Sequence, residues 1–319
     1  MSRIKKSVLT IVCVLLLVVL VFFGGSVYAL RKVLLVDTEK TKSNGESFLK
    51  KNGISTEQIL RGLREKKKKV FLKSRYGHVI PVEYMISDKG YDNLTVVLVH
   101  GHSMSLESMY PIAKTLLDNN INVVLYDQRS HGENTAGVVT FGYYEKDDLM
   151  DVIDYVKKKM KKKNAIGLLG QSMGAATVGF YSGTDHAKKN VDFVILDCPY
   201  NNMRSIIRNT AIRQGYKKLG IDLLIKISSI ANEKYLKFSF DDVDIAKAIE
   251  NSDIPTLIYE AKFDRTCPYY MADEVFDGIK HNNKEKVMLE KSEHIKGFYI
   301  EREKYVDTLL SFINKYGRD

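Results

Sequence analysis

Ser172 lies between two glycines, Gly170 and Gly174, in the segment GLLGQSMGAATVGF that runs from Gly167 to Phe180. A serine hydroxyl is a poor nucleophile near neutral pH. It attacks a carbonyl only when a base stands within hydrogen-bond reach and a third group orients that base. The preceding AIGLLG reads as a short buried strand, and the following MGAATVGFYSG reads as a helix of small side chains. At a sharp strand-to-helix turn the serine oxygen stands above the sheet, and the next amide is placed to bind an oxyanion. The G-x-S-x-G pattern also fits a tight-turn serine selected for size alone, so the partners decide.

Two partners follow in order. EAKFDRTCP puts Asp264 just past one predicted strand, and EKSEHIKGF puts His294 just past the next. Asp264 also reads as a helix cap before Pro268, and His294 as a surface histidine. Together, each on a loop at the carboxyl end of a strand, they read as acid and base for Ser172, because a parallel sheet gathers its functional groups at that edge. VLVHGHSMS ends a strand at His100-Gly101. The amides of His102 and Met173 are expected to form the oxyanion hole, and the His102 side chain is expected to line the acyl pocket. His100 reads as a loop-holding residue. In DQRSHGEN (Asp127 to Asn134), Asp127 and Arg129 are expected to pair, and His131 is not the base.

The elements that must position these residues alternate strand and helix from about residue 69 onward, which implies parallel βαβ units with helices on both faces of a twisted sheet. The segment from Tyr200 to about Glu250 breaks the alternation with two helical runs, near Met203 to Arg213 and Ile221 to Lys237. It reads as a lid over the site, with Ile206, Ile207, Leu223, Leu224 and Ile227 facing an acyl pocket or forming lid core. The closing helix is expected from Gly297 to Tyr316.

The N-terminus differs in kind. MSRIKK is basic, and the 23 residues from Val8 to Leu30 carry no charge. At 1.5 Å per residue such a helix is about 34 Å long, enough to span a hydrocarbon core. Residues 1–30 are therefore expected to be a single-pass membrane anchor, with a signal peptide cleaved after Ala29 as the alternative. Arg3, Lys5 and Lys6 favour a cytoplasmic N-terminus and an extracellular catalytic domain. Residues 31–68 read as a stalk with one short helix, and 69–319 as the catalytic domain.

The chain has 319 residues, 45% hydrophobic and 28% charged, with a net charge of +10. It is long enough to bury a large core. The charge clusters in REKKKKV (64–70) and KKKMKKK (157–163). These read as solvated helix ends, or as attraction to an anionic membrane or polymer. No basic stripe interleaved with aromatics and no nucleic-acid reader motif is present. Cys13, Cys198 and Cys267 show no metal-ligand spacing, and spacing does not say whether Cys198 and Cys267 pair. Oligomeric state is not legible.

Taken together, VVLVHGHS, VVLYDQRSHGEN, LLGQSMGAAT, VILDCPY, IPTLIYEAKFDRTCP and KSEHIKGF resemble the α/β-hydrolase superfamily, over roughly residues 70–316. Within it, the chain is most similar to the branch of serine-aminopeptidase-like and monoacylglycerol-lipase-like (lysophospholipase-like) proteins. The resemblance implies an eight-stranded, mostly parallel sheet, a Ser172–Asp264–His294 triad, no cofactor, and a small-molecule acyl substrate, with lipid among the candidates. It does not separate ester hydrolysis from peptidase or thioesterase activity, nor from a binding module that has lost activity. One departure is visible: Glu260-Ala261 stand where many relatives carry His-Gly.

Overall fold

The computed structural model describes Gly24 and residues 34–91, 93–159, 164–216 and 218–317. Apart from Gly24, the apolar run expected as an anchor lies outside the described residues. Among the described residues no helix is long and apolar enough to cross a membrane.

The chain enters through helix α1 (Thr38–Lys51) and helix α2 (Thr56–Leu63), then forms strands β1 (Lys67–Lys73) and β2 (Val79–Met85). There follow β3 (Thr95–Val99), a 3-10 turn (Leu106–Met109), α3 (Tyr110–Asp118), β4 (Asn122–Tyr126), α4 (Glu145–Lys159) and β5 (Ile166–Gln171). Next come α5 (Met173–Ser182), α6 (Asp185–Asn190) and β6 (Phe193–Asp197). The segment expected as a lid forms α7 (Met203–Arg213) and α8 (Lys218–Leu236), followed by the short α9 (Ile245–Ala248). The chain closes with β7 (Thr256–Ala261), α10 (Tyr269–Gly278), β8 (Lys284–Leu289), α11 (Gly297–Ile300) and α12 (Arg302–Tyr316).

The eight strands form one sheet in the order β1-β2-β4-β3-β5-β6-β7-β8. The β1–β2 and β2–β4 pairs are antiparallel, and every pairing from β4 through β8 is parallel. The apolar runs of the central strands are buried on both faces, as expected of a parallel sheet covered by helices. On β3, Val97 and Val99 join one core layer, while Val96 and Leu98 join the other. Each such side chain contributes about 1.5–3 kcal/mol on burial. The order and the parallel sense place the carboxyl ends of β3, β5, β6, β7 and β8 along one edge.

Three local differences from expectation have physical causes. The supposed stalk carries a second helix, α1, which buries Thr41, Gly45 and Leu49. Its buried residues are mostly small or polar, so no apolar stripe announces it. The lysines of REKKKKV end in an edge strand, β1, rather than a helix end. There they blunt an edge that would otherwise invite pairing. The closing helix is broken at Glu301, whose carboxylate accepts hydrogen bonds from the amides of Glu290 and Lys291 and from the Ser292 hydroxyl.

The turn from β5 into α5 explains the two glycines. A Cβ on Gly170 would lie 2.2 Å from the carbonyl oxygen of Gly174, and one on Gly174 would lie 2.1 Å from the carbonyl oxygen of Val99. Only bare backbone lets strand and helix approach so closely. Between them Ser172 is held at φ 54°, ψ −115°, a region that costs a non-glycine residue on the order of 1–3 kcal/mol. Its amide donates to the Asp197 carbonyl at 2.8 Å, tying the turn to the end of β6. We expect Gly170→Ala and Gly174→Ala each to lower the unfolding free energy by about 1–3 kcal/mol or more in urea titration. Gly137→Ala, whose Cβ meets nothing within 4 Å, should fall within about 0.5 kcal/mol of wild type.

Candidate active site

Ser172, His294 and Asp264 come from the ends of β5, β8 and β7 and meet above the sheet edge. His294 Nε2 lies 2.8 Å from Ser172 Oγ, and His294 Nδ1 lies 2.5 Å from Asp264 Oδ2. The other Asp264 oxygen accepts from the amides of Thr266 (2.7 Å) and Cys267 (2.8 Å). These two bonds fix the plane of a carboxylate whose side chain is fully buried. His294 sits on a segment held from below by Glu301. It is followed by Ile295 at φ +52°, an outlier for a β-branched residue. That conformation turns the chain sharply enough to aim the imidazole at Ser172.

The proposed oxyanion donors lie on two adjoining segments. Met173 opens α5, so its N–H is one of the first-turn amides that have no partner within the helix. His102 follows Gly101, where a Cβ would lie only 3.4 Å from the Ser172 Cβ. The His102 ring stacks on Phe141 at 5.7 Å, its Nδ1 lies 2.8 Å from Ser103 Oγ, and it lines the cavity in front of Ser172.

His100 and His131 are scaffolding. Nδ1 of His100 lies 2.8 Å from the Gly101 carbonyl, and its Nε2 accepts from the Gln128 amide at 3.0 Å. Burial pushes its pKa down to about 4, so it stays neutral. His131 donates from Nδ1 to the Arg129 carbonyl at 2.6 Å and accepts at Nε2 from the Ser103 amide at 2.9 Å. Burial likewise holds it well below the usual histidine range. The expected Asp127–Arg129 pair does not form. Arg129 reaches Asp148 at 3.4 Å, while Asp127 accepts from the amides of Leu106 and Glu133. The loop uses the acid to fold itself, and the arginine finds its partner on α4.

Beneath the site, buried Asp197 accepts from Gln171 Nε2 at 2.8 Å and from the Tyr305 hydroxyl at 3.0 Å. Burial raises its pKa. Cys198 and Cys267 are free and buried, and burial pushes both thiols well above their usual range. Cys198, Asp264 and His294 offer donor atoms within 4.8 Å of one another. The histidine nitrogens in that group are engaged by Ser172 and Asp264. Glu260 is buried with Lys286 at 3.8 Å, and burial raises its pKa to about 7.

A cavity of about 590 Å³ opens on Ser172 and His294. Helices α7 and α8 contribute Ile206, Ile207, Ile221, Leu224 and Ile225. Leu223 instead points outward, 52% exposed, and Ile227 is not among the lining residues. The run IDLLIKISSI is apolar on nearly every side, so its sequence does not reveal which face turns inward. Sequence reasoning placed neither Arg213 nor Thr266 in this wall. Both line the cavity, with Arg213 Nη1 donating to Thr266 Oγ1 at 2.7 Å.

Residues 95–221 match the family described as the alpha/beta hydrolase fold. The chain is 26% identical over 279 residues to the uncharacterized protein YqkD of Bacillus subtilis, covering 86% of this chain and 88% of that one. It is 25% identical over 231 residues to YfhR of Salmonella typhimurium, covering 69% and 70%. Among solved structures, the Pyrococcus furiosus esterase Pf2001 superposes with a TM-score of 0.67 at 18% identity, over 81% of this chain and 94% of that one. The esterase EaEST of Exiguobacterium antarcticum gives 0.56 at 21% identity, over 77% and 100%. With this sheet order, this turn around Ser172 and these likenesses, the chain has the fold of the α/β-hydrolase superfamily.

Proposed function

We propose that the protein is a serine hydrolase that cleaves acyl esters through Ser172, His294 and Asp264. The observation that carries this reading is the unbroken chain of hydrogen bonds from Asp264 through His294 to Ser172, ending at the floor of an apolar cavity. The esterase neighbours favour an ester over an amide or thioester substrate. Placement in the serine-aminopeptidase-like and monoacylglycerol-lipase-like branch is part of the same proposal.

His294 Nε2 takes the proton as Ser172 Oγ attacks the acyl carbon. Asp264 holds the Nδ1–H and stabilises the imidazolium that forms. The amides of His102 and Met173 receive the negative charge on the carbonyl oxygen, the latter helped by the positive end of α5. His294 then protonates the leaving alcohol. Water, deprotonated by the same nitrogen, releases the acyl group from Ser172. The acyl chain lies against the lid isoleucines and Leu224. The uncharged run at 8–30 tethers the enzyme to the cell membrane as a single span, with the catalytic domain outside.

The full chain should be labelled by a fluorophosphonate probe, and Ser172→Ala should not. Equal labelling of both, or labelling of neither, would sink the catalytic assignment. Asp264→Asn should lower kcat by about 10³–10⁴-fold while probe access is retained. On a panel of p-nitrophenyl esters, peptide amides and acyl thioesters, the esters should turn over fastest. Faster amide cleavage would leave the triad standing and replace the substrate class. Ile207→Trp should cut kcat/KM for an octanoyl ester about tenfold or more relative to the acetyl ester, because it fills the wall of the cavity.

A further inference from the structure

Helix α1 is polar over most of its length, TEKTKSNGESFLKK, and a strictly connecting segment would leave it in solvent. Instead its inner face touches the loops that follow β3, β4 and β8. Gly45 allows the approach: a Cβ there would lie 3.3 Å from Ser105 Oγ and 3.8 Å from Ser108 Cβ. Thr41 Oγ1 accepts from the Gly132 amide at 2.9 Å, and Asn44 Nδ2 donates to the Ser103 carbonyl at 3.1 Å. Lys42 reaches Glu133 at 2.8 Å, and Glu133 also binds Lys69. Phe48 meets Tyr299 edge to face at 5.5 Å and packs against Cys198, Ala261 and Ile295, the residue after His294.

Ser103 is the point where these contacts converge. It has φ +60°, a conformation that a serine keeps only when its surroundings impose it. Its amide is held by His131 Nε2 and its carbonyl by Asn44. His131 is itself carried by the loop whose Gly132 amide is bound to Thr41. Helix α1 therefore grips Ser103 twice, directly through Asn44 and indirectly through Thr41, Gly132 and His131. These bonds hold the two peptides that follow His102, one through the Ser103 N–H and the other through the Ser103 carbonyl, and so brace the loop that carries the His102 amide.

We propose that α1 is a positioning element of the active site, and that Asn44 is a positioning residue that presets the oxyanion amide of His102. The inference rests on the hydrolase reading for its catalytic consequence, and on geometry alone for the ordering of the loop. Asn44 is exposed, so its substitution is expected to leave the fold intact. Asn44→Asp keeps the size of the side chain and removes the donor.

The test compares the full chain, Asn44→Ala and Asn44→Asp, purified in mild detergent. It measures p-nitrophenyl butyrate hydrolysis, amide hydrogen exchange over residues 100–106, and thermal melting. Both variants should lose about tenfold in kcat with KM within about twofold of wild type, the scale of one hydrogen bond expressed only in the transition state. Exchange over 100–106 should quicken, and melting should shift by no more than about 2 °C. An active wild type whose variants keep both kcat and exchange overturns the proposal. So does a loss that appears in KM, or one that tracks a matching fall in melting temperature. An inactive wild type with faster exchange in the variants overturns the ester reading and supports the bracing role.

Discussion

A 2.8 Å contact between Ser172 Oγ and His294 Nε2 joins two points 122 residues apart in the chain. Such a contact cannot be arranged locally. It requires β5 and β8 to be parallel members of one sheet, with β6 and β7 between them in register. It also requires two sharp bends, at Ser172 and at Ile295, both in backbone regions that side chains avoid. Each bend is held by contacts to other segments. The first is held by the glycines on either side and by the Asp197 carbonyl. The second is held by the Glu301 carboxylate beneath its loop and by packing against Cys198 and Ala261.

The electrostatics around this contact follow from burial. His100 and His131 lie close to the site and resemble catalytic groups in the sequence. The interior keeps them neutral, and each uses both ring nitrogens to fix a loop. Removing a histidine from water disfavours its charged form, and a neutral ring offers one donor and one acceptor, which suits it to tying two backbone segments together. Asp264 has a different environment. Two amides and an imidazole surround its carboxylate, so every contact made to it donates a hydrogen.

The central strands, the turn at Ser172 and the order of Asp264 and His294 were legible because apolar runs and glycines signal them directly. Features that depend on contacts distant in sequence were not. Helix α1 buries Thr41, Gly45 and Leu49 at four-residue spacing, with Asp37 as its cap; that spacing and cap were the only signals available, and small polar residues do not mark a core face. In helix α8, apolar residues surround the axis, so the break in strand–helix alternation marked an insertion without revealing that Ile225, rather than Leu223, turns inward. Arg129 finds Asp148 rather than its near neighbour Asp127, because loop amides had already taken the aspartate.

The turn at Ser172 cannot relax while β5 and α5 stay packed, since the backbone atoms that hold it are the same ones that join strand to helix. The strain is therefore a permanent charge against global stability, carried whether the cavity is empty or filled. The Cα–Cβ bond of Ser172 keeps the direction that the packed turn gives it, and no ligand has to supply the energy of bending the backbone into place. At position 172, the demands of a durable fold and of a ready oxygen pull in opposite directions, and the backbone has settled in favour of the oxygen.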